Sequence, residues 1–223
     1  MLVKSGHDER MERFAAAGLY AVVTGSWCAG RDPLDVARAV LDGGATLVQM
    51  REKDLDGKRL FRLAEEMRRL TERAGALLVV NDRLDVALAA GADGAHLGQD
   101  DLPPEQARAL APDLIVGVST HSREEALAAE QAGASYVNIG PLFATGTKTV
   151  AMPPLGLAGL RAIAPALTVP FTVMGGIKRE HVPELVAAGA RTIAVVTAVT
   201  AAPDPARATA ELLAAIREAR ATR

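Results

Sequence analysis

The sequence has little of what marks a secreted, membrane or nucleic-acid-binding protein. Its one cysteine, Cys28, cannot form a disulfide within the chain, which is typical of a reducing compartment. Neither sign of charge dominates, with 25 Lys and Arg against 27 Asp and Glu, so no basic surface indicates a nucleic-acid partner. No apolar run approaches the ~18 residues needed to span a membrane, and the charged N-terminus lacks the apolar segment of a signal peptide. We therefore expect a cytoplasmic globular protein with no nucleic-acid and no membrane partner. The composition leaves open whether copies associate into a homo-oligomer.

The chain is instead rich in short apolar runs that alternate with longer Ala- and Leu-rich stretches carrying charges at helical spacing. Its 223 residues, 49% of them hydrophobic, are enough to bury a sizeable core. The short runs contain mostly Val, Ile and Leu, which is typical of parallel strands buried on both faces. We predict strands at residues 19–24, 46–51, 76–81, 94–97, 114–119, 136–139, 170–174 and 192–196.

A weak internal repeat supports this organisation. Glycine followed by alanine precedes a strand run four times, as expected where a glycine ends a helix, at Gly44, Gly91, Gly133 and Gly189. Capping residues or prolines stand where first helical turns would begin, at Asp32-Pro33, Pro103-Pro104 and Ser122.

Eight β-then-α units in order predict an α/β fold, a single (β/α)₈ TIM barrel. We expect one domain over residues 1–223, with an N-terminal extension at 1–17 and the barrel at 18–223. A helix around Asp8–Ala17 would cover the bottom of the barrel. An open doubly wound sheet is the alternative, but it gives no reason for eight evenly spaced units.

Polar residues collect where barrel chemistry is found, at the carboxyl ends of the strands. The second strand runs into Gln49, Arg51 and Lys53, which alternation places on one side, while Val48 and Met50 face the other. Two cations and an amide would then face the interior at the active end. The alternative is a solvated strand end.

Two neighbouring strands each deliver a carboxylate to the same rim. Asn81 and Asp82 end the third strand, and Asp101 follows the fourth. Paired carboxylates suit Mg²⁺, which takes one or two protein oxygens together with substrate phosphates. Helix N-caps are the alternative for both aspartates.

The fifth strand ends at Ser119 and is followed by His121. No base accompanies the serine in the sequence, so we expect Ser119 to donate a hydrogen bond to an anion rather than to act as a nucleophile. His121 fits a helix start. His96, inside a strand, fits a hydrogen-bonded core histidine.

The loop at residues 140–154 is the longest of the chain and carries Thr145, Thr147 and Lys148 around a glycine. These groups are suited to hold a phosphate, and the alternative is a polar surface turn with no binding role. The seventh and eighth strands end in Gly175-Gly176 and Val196-Thr197, where TIM barrels commonly bind phosphate. Together the residues predict a Mg²⁺-dependent transfer that involves a diphosphate and a second phosphorylated substrate.

A set of motifs in order along the chain, from residue 19 to residue 205, resembles the thiamine-phosphate synthase family. Ala144, Met174 and Thr197 depart from the pattern without removing a charge. The matching motifs are Gln49-x-Arg51-x-Lys53, Val80-Asn81-Asp82, His96-Leu97-Gly98-Gln99-Asp100-Asp101, Gly117-Val118-Ser119-x-His121, Gly140-Pro141-x-Phe143-x-Thr145-x-Thr147-Lys148 and Gly175-Gly176-Ile177.

The resemblance implies the joining of hydroxymethylpyrimidine diphosphate to a thiazole phosphate, with release of pyrophosphate by a dissociative substitution. By position, Asp82 and Asp101 would bind the Mg²⁺ cofactor. The pyrimidine diphosphate would be held by Gln49, Arg51, Lys53, Asn81, Ser119 and Lys148, with Arg51, Lys53, Ser119 and Lys148 in catalytic roles. The thiazole phosphate would be held by Thr145, Thr147, Gly175, Gly176, Val196 and Thr197.

Two other functions remain open for such a barrel. A related thiazole tautomerase would use His121 for proton transfer and needs no site for a diphosphate, which the cations and aspartates argue against. A non-catalytic barrel that binds thiamine intermediates would show no Mg²⁺-dependent turnover.

Overall fold

The structure is a computed structural model that describes residues 6–147 and 153–222. Eight parallel strands form one closed barrel, each paired with its neighbours in sequence and the last paired with the first. The strands are β1 (Leu19–Val23), β2 (Leu47–Met50), β3 (Leu77–Asn81), β4 (Gly94–Leu97), β5 (Ile115–Thr120), β6 (Tyr136–Ile139), β7 (Phe171–Val173) and β8 (Thr192–Val195). The predicted (β/α)₈ fold is confirmed, and the open sheet is wrong.

Helices alternate with the strands around the outside of the barrel. Asp32 and Ser122 cap their helices as predicted, because their side chains accept from the backbone N–H of Leu34 and Glu125. No described helix is long and apolar enough to cross a bilayer. The helices are α1 (Gly6–Ala17), α2 (Pro33–Asp42), α3 (Gly57–Arg73), α4 (Leu84–Ala89), α5 (Pro104–Leu110), α6 (Arg123–Gln131), α7 (Gly156–Ile163), α8 (Val182–Ala187), α9 (Thr197–Thr200) and α10 (Pro205–Ala221), with 3₁₀ turns at Gly25–Trp27, Ala164–Ala166 and Arg179–His181.

Alternation along the strands divides the apolar core into two layers. Residues such as Val48, Val80 and Val116 point outward and pack beneath the helices. Leu47 and Ile115 point into the barrel and fill its lower half. The upper half of the interior, at the carboxyl ends of the strands, is therefore left to polar side chains.

The N-terminal helix closes the bottom of the barrel, as predicted. Phe14 is buried, and its ring centroid lies 4.5 Å from that of Tyr136 at the start of β6. Arg10 reaches the buried Asp93 at 3.5 Å, and Arg68 of α3 pairs with the same carboxylate at 2.6 Å. The helix begins two residues earlier than Asp8, at Gly6.

Candidate active site

A cavity of about 320 Å³ opens at the carboxyl ends of the strands. Most of its lining residues lie on β1 to β5 or just after them, and their side chains point into the barrel. Gln49 does so as the second-strand pattern predicted, while Val48 and Met50 pack outside the barrel. We call it the central cavity, and its lining residues are Val22, Thr24, Gln49, Arg51, Lys53, Asn81, Asp82, His96, Gly98, Gln99, Asp100, Asp101, Ser119, His121, Thr147, Met174 and Val196.

One wall of the central cavity carries opposite charges in contact. Lys53 Nζ lies 2.5 Å from Asp82 Oδ2, with the carboxylate the more buried of the two. Asp82 has a positive φ of 63°, a conformation that Asp tolerates better than most side chains. Its backbone N–H donates to the carbonyl of His96 at 2.8 Å, which ties the end of β3 to β4.

Asp101 meets Asp82 from the next loop. One oxygen of Asp101 accepts from the backbone N–H of Gly98 at 2.6 Å. Burial and, after it, the hydrogen-bonding Asp82 carboxyl raise the pKa of Asp101. Two carboxylates this close favour either a shared proton or a bound cation.

Neither aspartate is a helix cap, so that interpretation of them is wrong. Helix α4 follows Arg83 and helix α5 follows Pro103, and neither helix start has a side-chain cap. Over residues 6–147 and 153–222, no three His, Cys, Asp or Glu side chains converge on a metal position. The pair therefore suits a cation that takes its other ligands from substrate and water, as Mg²⁺ does.

A hydrogen-bonded series of polar groups lies beneath the cavity floor. Gln49 Nε2 donates to the hydroxyl of Tyr20 at 2.7 Å, and the Tyr20 and Tyr136 hydroxyls are 3.0 Å apart. His96 Nδ1 lies 2.8 Å from the Tyr136 hydroxyl, and His96 Nε2 lies 2.9 Å from Ser119 Oγ. Burial raises the pKa of both phenols, which therefore stay protonated.

His96 is buried with both ring nitrogens hydrogen-bonded, as predicted for a core histidine, but it also lines the central cavity. No sequence pattern predicted the contact of His96 with Tyr136, which lies forty positions away. His121 precedes the capped start of α6, as predicted, and both its backbone N–H and its Nδ1 contact Glu125 Oε2, at 2.7 and 3.0 Å.

A second cavity of about 490 Å³ lies beside the first, among the loops that follow β6, β7 and β8. It brings together Thr145, Thr147, Gly176 and Thr197 of the predicted phosphate groups. Val196 lines the central cavity instead, and Gly175 lines a smaller cavity next to Ser119. Thr147 borders both this cavity and the central cavity, so the two are adjacent.

The β6 and β7 loops approach each other closely at the second cavity. Phe143 donates its backbone N–H to the carbonyl of Gly175 at 3.0 Å. Gly176 has a φ of 62°, and a Cβ there would collide with the carbonyl oxygen of Ala144, so only glycine fits. The hydroxyl oxygens of Thr145 and Thr147 lie 2.9 Å apart, within hydrogen-bond distance. Lys148 lies outside the described residues.

The second cavity also contains residues that the sequence reasoning missed, among them Trp27 and Lys178. Trp27 is the one tryptophan of the chain and lies on the loop after β1. Thr200 Oγ1 donates to its carbonyl at 2.7 Å, and Arg31 donates to the carbonyls of Thr200 and Ala202 at 2.8 Å each. A lone aromatic in a loop at the active end was the only available signal.

Comparison with known proteins identifies the family and supports the fold. A thiamine-phosphate synthase of Moorella thermoacetica is 46% identical over 203 residues, covering 91% of this chain and 97% of that protein. One of Chlorobium phaeovibrioides is 50% identical over 182 residues, covering 81% and 87%. The solved structure of a thiamine phosphate pyrophosphorylase from Pyrococcus furiosus superposes with a TM-score of 0.85 at 38% identity, covering 93% of this chain and 98% of that one. The family model for thiamine monophosphate synthase matches residues 19–199, and the chain belongs to this family.

Proposed function

We propose that this protein is a transferase that makes thiamine phosphate and pyrophosphate from hydroxymethylpyrimidine diphosphate and a thiazole phosphate. One observation carries the proposal. A central cavity with cations and paired aspartates adjoins a second cavity built from the loops where barrels bind phosphate, and Thr147 borders both. Two phosphorylated substrates can therefore lie side by side with their reacting ends in contact.

The central cavity is the proposed site for the pyrimidine diphosphate. Gln49, Asn81 and Ser119 offer neutral hydrogen-bonding groups at its floor, while Arg51 and Lys53 bring positive charge to its rim. Cations there neutralise the charge that grows on the diphosphate as it leaves. Lys148, which follows Thr147 directly, is proposed to contact the same diphosphate.

Asp82 and Asp101 are the proposed ligands of Mg²⁺. Their adjacent carboxylates form an oxygen donor set of the size that Mg²⁺ uses when phosphates complete its shell. When bound, Mg²⁺ supplies Lewis-acid neutralisation of phosphate oxygens. Lys53 already contacts Asp82, so the chain itself keeps a positive charge beside the pair.

The second cavity is the proposed site for the thiazole phosphate. Thr145, Thr147 and Thr197 supply hydroxyls, and Gly176 lets the backbone approach closely. Val196 and Gly175 lie toward the central cavity and Ser119, and we assign them to the contact between the two substrates. Helix α9 begins at Thr197, in the position where barrels use a short helix for phosphate.

The proposed reaction is a dissociative substitution. The bond between the pyrimidine methylene carbon and the diphosphate oxygen breaks first, and its electron pair leaves with the diphosphate. The lone pair of the thiazole nitrogen then forms the new bond to the methylene carbon. Arg51 and Lys53 hold the departing diphosphate, and the cavity walls hold the two rings in line.

Pyrophosphate release by the purified chain tests the proposal directly. The assay contains both substrates and Mg²⁺, and each component is then omitted in turn. We expect release only when all three are present, with thiamine phosphate formed in equal amount. Release without the thiazole phosphate, or no release from folded protein, would contradict the proposal.

A tautomerase is the second candidate, because His121 lines the central cavity with Glu125 against its Nδ1. That function leaves the charged wall of Lys53, Asp82 and Asp101 without a role. Isomerisation of the thiazole precursor, lost in His121→Ala and independent of Mg²⁺, would favour it over the synthase.

A further inference from the structure

Five polar side chains form one continuous hydrogen-bonded series through the barrel interior. This polar chain runs from Gln49 through Tyr20, Tyr136 and His96 to Ser119. Its two ends both line the central cavity, whereas the two phenols lie below the cavity floor and are 1% exposed or less. A polar connection therefore joins two separate points of the cavity wall from beneath.

The fold makes room for this connection at one residue. His96 on β4 and Tyr136 on β6 are both register partners of Gly117 on β5. A Cβ at Gly117 would overlap the Tyr136 ring, so the missing side chain lets the phenol reach His96 across the intervening strand. The Phe14 ring then fills the space below Tyr136.

The hydrogen bonds of the polar chain must all run in the same direction. A phenol has one proton, so a phenol between two partners donates to one and accepts from the other. Gln49 Nε2 donates to Tyr20. The one-proton rule then makes Tyr20 the donor to Tyr136 and Tyr136 the donor to His96 Nδ1, at two contacts whose distances alone leave the donor open. A neutral imidazole with an accepting Nδ1 carries its proton on Nε2, which donates to Ser119 Oγ.

We propose that His96 is a positioning residue: by donating to Ser119 Oγ, it leaves the Ser119 O–H to donate to a ligand in the cavity. Through the polar chain, the orientation of the Ser119 hydroxyl is coupled to the orientation of the Gln49 amide. The cavity then presents an accepting Gln49 Oε1 together with a donating Ser119 O–H. It favours a ligand with a donor toward Gln49 and an acceptor toward Ser119, the pattern of an amino-substituted nitrogen heterocycle. The inference rests on the proposed pyrimidine site.

The first measurement determines the tautomer of His96, because the tautomer reports the direction of the hydrogen bonds in the polar chain without any substrate. Nitrogen NMR of the full chain with ¹⁵N-labelled histidine distinguishes imidazole N–H at Nε2 from N–H at Nδ1. The chain has four histidines, and His96→Gln identifies the signal of interest. We expect the Nε2–H form in the unaltered chain and a smaller fraction of it in Tyr136→Phe, which lacks the donor to Nδ1. An Nδ1–H form or an imidazolium in the unaltered chain would overturn the proposal.

Kinetics supply the second measurement. Tyr136→Phe should lower kcat/KM for the pyrimidine diphosphate about tenfold, the worth of one misdirected hydrogen bond, and leave the KM for the thiazole phosphate unchanged. His96→Gln keeps an amide N–H for Ser119 and should retain more activity than His96→Leu. Equal losses toward both substrates would show a merely structural role and overturn the proposal.

Coupling between the two ends is the third measurement. In the unaltered chain, Gln49→Ala and Ser119→Ala should combine non-additively, and in a Tyr136→Phe background their coupling should weaken. Thr209→Val is the matched control, since it removes a buried hydroxyl that donates to the Pro205 carbonyl in α10, away from the cavity.

A chain that shows the expected tautomer but no pyrophosphate release would refute the proposed function and not the direction of the hydrogen bonds in the polar chain.

Discussion

At the scale of single residues, backbone conformation and neighbouring charges determine what the pair of Asp82 and Asp101 can bind. Asp82 holds a left-handed backbone conformation at the end of β3, and the loop after β4 brings Asp101 against it. Lys53 places a positive charge 2.5 Å from Asp82. A change at Asp82 therefore alters the charge of the pair without disturbing a helix cap.

We expect Asp82→Asn to lower Mg²⁺-dependent turnover by about 10–100-fold or more and to raise the Mg²⁺ concentration needed for half-maximal rate. Asparagine tolerates the same backbone conformation, so the barrel should keep its stability. Asp85→Asn is the matched control, because Asp85 is an exposed carboxylate in the first turn of α4 that pairs with the neighbouring Arg83. Equal Mg²⁺ dependence in Asp82→Asn and the unaltered chain would exclude Asp82 as a ligand.

Gly117 offers a second test at the residue scale. Any side chain there would enter the space of the Tyr136 ring. Gly117→Ala should lower the free energy of unfolding by about 1–3 kcal/mol through overpacking, measured in urea. It should also reduce the Nε2–H fraction of His96, since Tyr136 must move. Gly146→Ala, whose added methyl group meets no atom of the described residues within 4 Å, is the control for stability.

The residues of the site were predictable from sequence to different degrees. Alternation with a period of two predicted that Gln49, Arg51 and Lys53 face the cavity, and the period continues through Arg51 and Lys53 although both lie beyond the end of β2. It could not join Tyr20 to Tyr136, which are separated by 116 positions and meet only when the barrel closes. Whether the aspartates cap helices also depended on loop conformation, which the sequence pattern does not specify.

At the scale of secondary-structure elements, buried parallel strands are the part of the fold most easily read from sequence. All eight appear where apolar runs predicted them, and no strand end differs from its predicted position by more than one residue. Thr24 and Arg51, for example, fall just beyond β1 and β2. Strand ends are less certain because a ladder hydrogen bond, not hydrophobicity, decides where a strand stops.

Helix α1 contributes one large buried side chain to the interior of the barrel. Phe14 is 1% exposed and packs on Tyr20 and Tyr136, at centroid distances of 6.4 and 4.5 Å. We expect Phe14→Ala to lower the free energy of unfolding by about 3–5 kcal/mol, measured in urea. Glu9→Ala, at an exposed position of the same helix, should change it by less than about 0.5 kcal/mol. A small effect of Phe14→Ala would mean that the helix is not part of the barrel's core.

At the scale of the whole molecule, barrel closure gathers the ends of distant strands into one rim. Apolar side chains fill the lower interior, so polar groups at the upper ends are held on a rigid floor. The sequence order of the units predicts this gathering. The division into two cavities depends on the loops after β1, β6, β7 and β8, and their mutual packing is not encoded in any local pattern.

The raised pKa of Asp101 should be visible in the pH dependence of the stability of the whole molecule. Burial and then the Asp82 carboxyl raise the pKa of Asp101 above its ordinary value of 3.8. A carboxyl with a raised pKa binds its proton more tightly in the folded chain than in the unfolded one. The contribution of Asp101 is therefore most favourable below pH 3.8 and is lost as the pH rises through the raised pKa.

Thermal unfolding of the chain and of Asp101→Asn across this pH window isolates the effect, because all other carboxyl groups are shared by the two proteins. We expect the unaltered chain to lose more stability than Asp101→Asn as the pH rises, since the asparagine has no proton to release. Added Mg²⁺ should offset the loss in the unaltered chain, and should do so more strongly at neutral than at acidic pH, because the cation binds the deprotonated pair. Identical pH slopes for the two proteins would mean that neither burial nor the Asp82 carboxyl raises the pKa of Asp101 in the folded chain.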